Sequence, residues 1–242
     1  MINTKHHYQI VVIGAGSGGL VVAIGAAKAG KKVLLIEKGT YGGDCTNFGC
    51  IPSKSLIASA EVAHAIAKAK DFGLDGASFF TDTKSVFERV RKIVTSVRSL
   101  EEPLALKEKG VETLTGTASF LDSHRVLVTE TDGITHEVHG ENIIIATGSS
   151  PLIPNIEGLS KTPYLTNETI FDLKEVPKRM CIIGGGPIGC EMAQAFSRLG
   201  AKVTQIHRHS CLINKEGPEA QELIAKTFLN ERIELFLAYE TK

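Results

Sequence analysis

One stretch of this chain occurs twice, and a chain built that way has few folds open to it. IVVIGAGSGGLVVAIGAAKAGKKVLLIE, from Ile10 to Glu37, returns in outline as MCIIGGGPIGCEMAQAFSRLGAKVTQIH, from Met180 to His207. A constant offset of 170 residues aligns Gly14 with Gly184, Gly16 with Gly186, Gly19 with Gly189, Gly30 with Gly200 and Val33 with Val203. Each copy reads as a buried apolar strand, a glycine turn, an amphipathic helix ended by Gly, and a second strand. That is the opening βαβ unit of a dinucleotide-binding domain, with G-x-G-x-x-G in its required place. The expected fold class is therefore α/β, with two Rossmann-like dinucleotide-binding units.

The glycines have separate jobs. Gly14 and Gly184 allow the tight turn. Gly16 and Gly186 let backbone approach a pyrophosphate, and Gly19 and Gly189 let helix and strand pack closely. The helix amino terminus then presents free N–H groups to the phosphates. One such loop is a weak signal; two copies, each set between a strand and a helix, argue against a generic glycine-rich turn.

Composition narrows the class. Of 242 residues, 43% are hydrophobic and 22% charged, which gives enough apolar surface for a core and excludes a disordered chain. The 27 Lys+Arg balance the 27 Asp+Glu, and aromatic residues make up 6% with no Trp. Neither a basic field nor a base-stacking platform for nucleic acid is on offer. No apolar run approaches membrane-spanning length, and MINTKHHYQIVVIG lacks the features of a secretory signal. Five cysteines, an odd number, are too few for a disulfide scaffold. A reducing cytoplasm is expected, with any paired cysteines suspected of chemistry.

Between the repeats, Glu61–Lys70 is expected to be helical with Val62, Ile66 and Ala69 inward. Val86, Val90, Ile93, Val97 and Leu100 predict a long amphipathic helix from Thr83, interrupted at Pro103. Strands are expected at Val111–Thr115, Val126–Thr129 and Ile134–Val138, with a further buried strand at Ile143–Ile145. Surface helices or loops are expected for His64, His124, His136 and His139. Ser149–Pro163 reads as a linker, giving domains of 1–150 and 151–242.

The segment GGDCTNFGCIPSKSLIASAE carries the chemistry. Cys45 and Cys50 lie five residues apart at the start of a helix running past Lys54. A helix amino terminus favours thiolate character and disulfide exchange. A metal pair would need two further ligands at suitable spacing, and none stands nearby, so no metal site is expected. Two unrelated buried cysteines would not need the flanking Gly42, Gly43 and Gly49. Spacing alone leaves Lys54 open between a chemical role and an ordinary exposed lysine.

In order, G-A-G-S-G-G, G-G-D-C-T-N-F-G-C-I-P-S-K, A-T-G-S and G-G-G-P-I-G-C-E resemble the FAD-dependent pyridine nucleotide–disulfide oxidoreductases, the family of dihydrolipoamide dehydrogenase, glutathione reductase and mercuric reductase. The resemblance covers essentially the whole chain, and C-x-x-x-x-C-x-P-S-K is its most specific motif. It implies an FAD domain over the first repeat and an incomplete NAD(P) domain over the second. Glu37 would hold the adenosine ribose, as the fingerprint itself demands. Cys45 would be the interchange thiol that attacks substrate, Cys50 the thiol facing the flavin. Lys54, partnered by Glu191, would sit near the reactive flavin nitrogen. Ala118 and Ala146-Thr147-Gly148 would complete the FAD contacts. Ser17, Gly18, Lys38, Gly43, Asp44 and, in the second loop, Ile188 join the cofactor-binding set. The implied route takes hydride from a nicotinamide to flavin, then two electrons to the Cys45–Cys50 disulfide and on to a small-molecule or metal-ion substrate.

At the position equivalent to Glu37 the second repeat has His207, followed by Arg208 and His209. An acid there suits the ribose diol of NAD, whereas a nearby Arg accommodates the extra phosphate of NADP. NADP(H) is therefore favoured over NAD(H), ahead of a merely solvated basic turn. The R-H pair resembles glutathione reductases and AQAFSRLGAKVT resembles mercuric reductases, branches that both use NADPH. Family members are nearly twice this long and end in a dimer-forming domain that supplies a His–Glu acid/base pair. The resemblance thus implies a redox half whose acid/base half lies elsewhere. The leading reading is a mercuric-reductase-like, NADPH-dependent flavin disulfide reductase. The alternatives are an NAD-dependent dihydrolipoamide dehydrogenase relative and a flavin-binding fragment without turnover.

Overall fold

The structure, a computed structural model, describes residues 3–74 and 79–241. Its elements begin with β1 (Asn3–Ile13), α1 (Ser17–Lys28), β2 (Val33–Glu37), α2 (Gly43–Asn47), α3 (Cys50–Ala67), α4 (Thr83–Arg98) and α5 (Pro103–Glu108). There follow β3 (Val111–Thr115), β4 (Thr117–Phe120), β5 (Arg125–Thr129), β6 (Thr135–Ile145), β7 (Arg179–Ile183), α6 (Pro187–Arg198), β8 (Lys202–His207), α7 (Pro218–Asn230) and β9 (Glu234–Leu237). This is the expected α/β class, and α1 and α6 occupy positions related by the same 170-residue offset as the glycines. No helix among the described residues is long and apolar enough to cross a membrane.

The chain divides into two units, residues 1–51 with 92–151 and residues 52–91 with 152–242. In the first, six strands run in the order β3-β2-β1-β6-β5-β4. Strand β1 is central and parallel to β2 and β6, and β2 is parallel to β3. Strands β4 and β5 complete an antiparallel meander with β6. Side chains alternate across the sheet. Val12, Leu35, Leu20 and Ala23 therefore build one core layer with Leu106 and Val111. Val11, Leu34 and Ile36 build the other with Val126, Val128 and Val138.

In the second unit, β7-β8-β9 form a parallel three-stranded sheet. Strand β7 lies at its edge and alternates between exposed and half-buried. The sequence expectation of a buried strand in each copy thus holds for β1, flanked on both sides, and fails for β7. Residues 52–91 belong with this unit through specific ties. Arg91 donates to the Leu173 carbonyl (3.2 Å), and the Val176 N–H to Thr83 Oγ1 (3.2 Å).

Other expectations need correction. Val62 and Ile66 are exposed, because the buried stripe of α3 is Leu56, Ala60 and Ala63, about 100° away around the helix. Leu100 lies past the end of α4 and is exposed, and Pro103 starts the separate helix α5 at its first turn. Ile134–Val138 and Ile143–Ile145 are not two strands: β6 runs through Gly140, and its last residue, Ile145, is exposed. His136 and His139 sit on β6 rather than in loops. His64, on α3, lies 3.9 Å from Glu231.

Glu231 anchors a charged knot in the second unit. Arg198 donates to both of its carboxylate oxygens (2.8 and 2.7 Å), and the Gln194 amide adds a third bond (3.0 Å). Burial pushes this carboxyl up, but the bonds and charge of Arg198 outweigh that and hold it below the usual carboxylate range. Both side chains are largely buried, at 16% and 11% exposure. Removing one partner leaves a buried charge unpaired. Glu231→Ala is expected to cost about 3 kcal/mol, read as a lowered urea midpoint of the intact chain. A loss no greater than that of the exposed control Glu219→Ala would refute it.

Candidate functional site

The first glycine loop connects β1 to α1. Gly14 takes φ +106°, a left-handed value that side chains rarely adopt. A Cβ there would overlap the Ala146 carbonyl, and one on Gly19 would overlap the Gly14 carbonyl. Gly16 is different. Its backbone is extended, and a Cβ would meet only Gly43 Cα, at an ordinary 3.7 Å. Nothing lies within 4 Å of a Cβ on Gly18. Gly16 caps α1 with no side-chain hydrogen bond, so Ser17 and Gly18 present the helix amino terminus to an open face.

Glu37 closes β2 and clamps this loop. Its Oε2 accepts the Ala15 N–H (2.7 Å), and its Oε1 accepts the Gly39 N–H (2.8 Å). The Ala15 carbonyl in turn accepts the Gly42 N–H (2.9 Å). Lys38 beside it is exposed. The segment Ala146-Thr147-Gly148 follows β6, with the Ala146 N–H donating to the Ile13 carbonyl (2.8 Å). Ala118 is half-buried on β4.

The dithiol segment starts where the chain turns through Gly42 (φ +95°) and Gly43 (φ +60°). A Cβ on Gly43 would overlap Gly16 Cα, so the two glycine segments touch backbone to backbone. Asp44, exposed, and Cys45 lie on α2, and Cys50 is the first residue of α3. Cys45 is half-buried, Cys50 is exposed, and both are thiols. Buried Asn47 ties the turn together, its amide donating to the carbonyls of Tyr41 and Gly43 (2.9 Å each). Sequence reasoning missed Asn47, because nothing in T-N-F-G separates a structural amide from a surface one. It also missed the contact of Glu37 with Ala15, which the 170-residue repeat could have suggested once its counterpart was known.

The second unit repeats the first loop. Gly184 takes φ +121°, a Cβ on Gly189 would overlap the Gly184 carbonyl, and one on Gly186 would meet nothing within 4 Å. His207 closes β8 as Glu37 closes β2, and its Nδ1 accepts the Gly185 N–H (3.1 Å). Gly185 and Ala15 are related by the repeat offset. Arg208 Nε donates to His209 Nε2 (3.4 Å), and the rings of His207 and His209 meet edge-on at 5.1 Å. Arg208 is thus the fixed charge of this turn. Ile188 is exposed on the first turn of α6. Also in this unit, Lys54 Nζ donates to both Glu191 oxygens at 2.6 and 2.7 Å. The pair lines a cavity of about 280 Å³ with Ile57, Ala60 and Ala195 on its apolar side.

Residues 8–242 match the family described as pyridine nucleotide-disulphide oxidoreductase. The chain belongs to that family. It is 37% identical over 234 residues to a mercuric reductase of Streptomyces lividans, covering 96% of this chain and 49% of that one. It is also 37% identical over 228 residues to a dihydrolipoyl dehydrogenase of Chlorobaculum parvum, covering 93% and 48%. Among solved structures it is similar to the Cu(II) complex of the flavoprotein disulfide reductase RclA of Escherichia coli. There the TM-score is 0.84 at 31% identity, over 98% of this chain and 50% of that one. The chain spans about half the length of the curated relatives it matches. Family membership makes it a relative of oxidoreductases, with the α/β fold class the repeat implies.

The glycine geometry yields a stability test. At Gly16→Val the Cβ makes only an ordinary contact with Gly43, and the change is expected to cost no more than about 1 kcal/mol, the scale of a weakened helix cap. Gly19→Val drives side-chain atoms into the Gly14 carbonyl and is expected to cost more than about 3 kcal/mol. Equal thermal midpoints for the two variants would contradict this division.

Proposed function

We propose that the chain carries a flavin-binding segment (residues 1–150) and a nicotinamide-binding segment (151–242) of a disulfide oxidoreductase, residues 52–91 of the first segment packing with the second unit. It would move electrons from NADPH to the Cys45–Cys50 pair and on to a small-molecule or metal-ion substrate, in the manner of a mercuric reductase. One observation carries the reading. Ala15 is held on its N–H by Glu37 and on its carbonyl by Gly42, so the anion-cradling loop and the dithiol segment are a single piece of structure.

FAD fits the residues present. Gly16 and Gly18 leave open space at the start of α1, where backbone N–H groups suit a pyrophosphate. Glu37, at the end of β2, suits a ribose diol. Gly14, Ser17, Gly19, Lys38, Gly43, Asp44, Ala118 and Ala146-Thr147-Gly148 would complete the first site, with Lys54 and Glu191 carried over from the family motif as the ion pair of the reaction. When bound, FAD supplies a two-electron relay between a nicotinamide and the dithiol. In the reduced dithiol, Cys45 Sγ as thiolate attacks a substrate disulfide, releasing one thiol and forming a mixed disulfide. Cys50 Sγ then attacks Cys45, expels the second thiol and closes the Cys45–Cys50 bond. Exposure alone would rank Cys50 as the more accessible thiol, so the order of roles rests on the motif.

Identity does not choose between branches, since the mercuric reductase and the dihydrolipoyl dehydrogenase are both 37% identical to this chain. The β8 turn supports NADPH: His207 removes the carboxylate that would repel a ribose phosphate, and Arg208 offers a planar donor fork. Gly184, Gly186, Ile188, Gly189 and His209 complete this candidate site.

Reconstitution with FAD is expected to give the yellow flavin absorbance in the unmodified chain and none in Gly16→Val. A colourless unmodified chain would overturn the flavin reading. NADPH is expected to bind more tightly than NADH, and Arg208→Glu to remove about tenfold or more of that preference, the scale of one charge-assisted hydrogen bond. Equal affinities in the unmodified chain at low salt would overturn the choice of nucleotide.

A further inference from the structure

The two repeats solve one problem with different chemistry. In each, the second residue of the glycine loop must have its N–H satisfied. Glu37 does this for Ala15 with a carboxylate, which offers only acceptors. His207 does it for Gly185 with an imidazole nitrogen, which accepts only while it carries no proton. The bond therefore fixes a neutral tautomer with the proton on Nε2, an atom that is buried with no hydrogen-bond partner among the described residues. The ring lies close against the loop, since a Cβ on Gly185 would run into its Cδ2 and Cγ.

We propose that His207 is the positioning residue of the second glycine loop, holding Gly185 only while its ring is neutral, so that dinucleotide binding in this unit weakens as the pH falls. The proposal rests on the reading that this unit binds a nicotinamide dinucleotide. On protonation Nδ1 gains a hydrogen that points at the Gly185 N–H. Donor then faces donor, and the tether must break. The Gly185 carbonyl keeps its other partners, the Ile213 N–H (2.7 Å) and the Cys190 thiol (3.6 Å), so the loop is loosened on one side rather than unfolded.

The surroundings favour the neutral form. Burial lowers the His207 pKa, and the neighbouring His209 and Arg208 lower it further. From α6 the titratable group at this loop is Cys190, on the far side of the Gly185 carbonyl, and from the chain after β9 it is Tyr239, whose N–H donates to the His207 carbonyl (3.1 Å). A depressed folded pKa means the tether is still whole at the ordinary histidine value of 6.5 and is lost only as the pH falls through the lower folded value.

Two measurements on the intact chain decide it. In the ligand-free protein, histidine ring nitrogen and backbone amide resonances are followed from pH ~8 to pH ~5, a span bracketing the ordinary histidine range. His207 Nδ1 is expected to be the unprotonated nitrogen at the upper end, with the Gly185 amide shifting at the same midpoint, below 6.5. A His207 ring with its proton on Nδ1 above that midpoint, or a Gly185 amide indifferent to it, overturns the proposal. Binding is then measured with NADH, because a 2′-phosphate would attract the protonated ring and mask the loss. NADH affinity is expected to fall about two- to tenfold across the transition, the worth of one hydrogen bond. His207→Gln, which keeps an acceptor for Gly185 but does not titrate, is expected to abolish the fall. An equal fall in His207→Gln, or a flat profile in the unmodified chain, overturns it as well. Absence of NADH and NADPH binding at every pH would instead overturn the nicotinamide reading, leaving the amide titration to judge the tether.

Discussion

How closely the start of α1 approaches the end of β1 governs the first unit. Gly19 lies so near the Gly14 carbonyl that no side chain fits between them, and Gly14 lies equally near Ala146. With those contacts closed, the helix amino terminus is brought to the carboxyl end of the sheet, beside the ends of β2 and β6. Glu37 and Ala146 can then reach the loop from either side. The same approach leaves Gly16 without a close neighbour, so its missing side chain is not demanded by the packing of the fold. One motif thus contains two kinds of glycine, and only the contacts tell them apart.

Most of this was legible in the sequence where backbone demands are severe. The repeat located both loops, both helices and the strands on either side, because few other residues tolerate the φ values and contacts at Gly14, Gly19 and their counterparts. Periodicity located β3 to the residue and α4 nearly so. It failed where a short apolar run was read without its surroundings. Val62 and Ile66 looked inward because their spacing is helical, yet the inner face of α3 is set by smaller residues, Leu56, Ala60 and Ala63. Ile134–Val138 and Ile143–Ile145 looked like separate strands, but β6 runs through Gly140, where a Cβ would collide with the Val11 side chain. Strand β7 looked buried because it is apolar, but burial depends on how many neighbours a strand has, which no local window contains.

Side-chain ties were the least legible. Asn47 and the Arg198–Glu231 knot depend on residues brought together by the fold, and neither has a spacing that announces it. Lys54 and Glu191 are 137 positions apart, and only the family resemblance linked them before the structure joined them. The comparisons agree at the level of family and fold, and the proposed choice of nicotinamide turns on a few residues at the end of β8.

That turn is where the two units part company physically. Residues Gly43 and Ile213 are related by the repeat offset, and both take positive φ, +60° and +42°. Glycine adopts such a backbone freely, whereas a β-branched side chain is strained in it, by on the order of 1–3 kcal/mol. What holds Ile213 there is its N–H on the Gly185 carbonyl and the fully buried Leu212 packed against the same glycine. The first loop is therefore gripped by a carboxylate and an unstrained glycine turn. The second is gripped by an imidazole that can lose its acceptor and by a turn that stores strain. On the proposal above, the second loop is therefore the one whose tether proton concentration would release, because only its acceptor titrates.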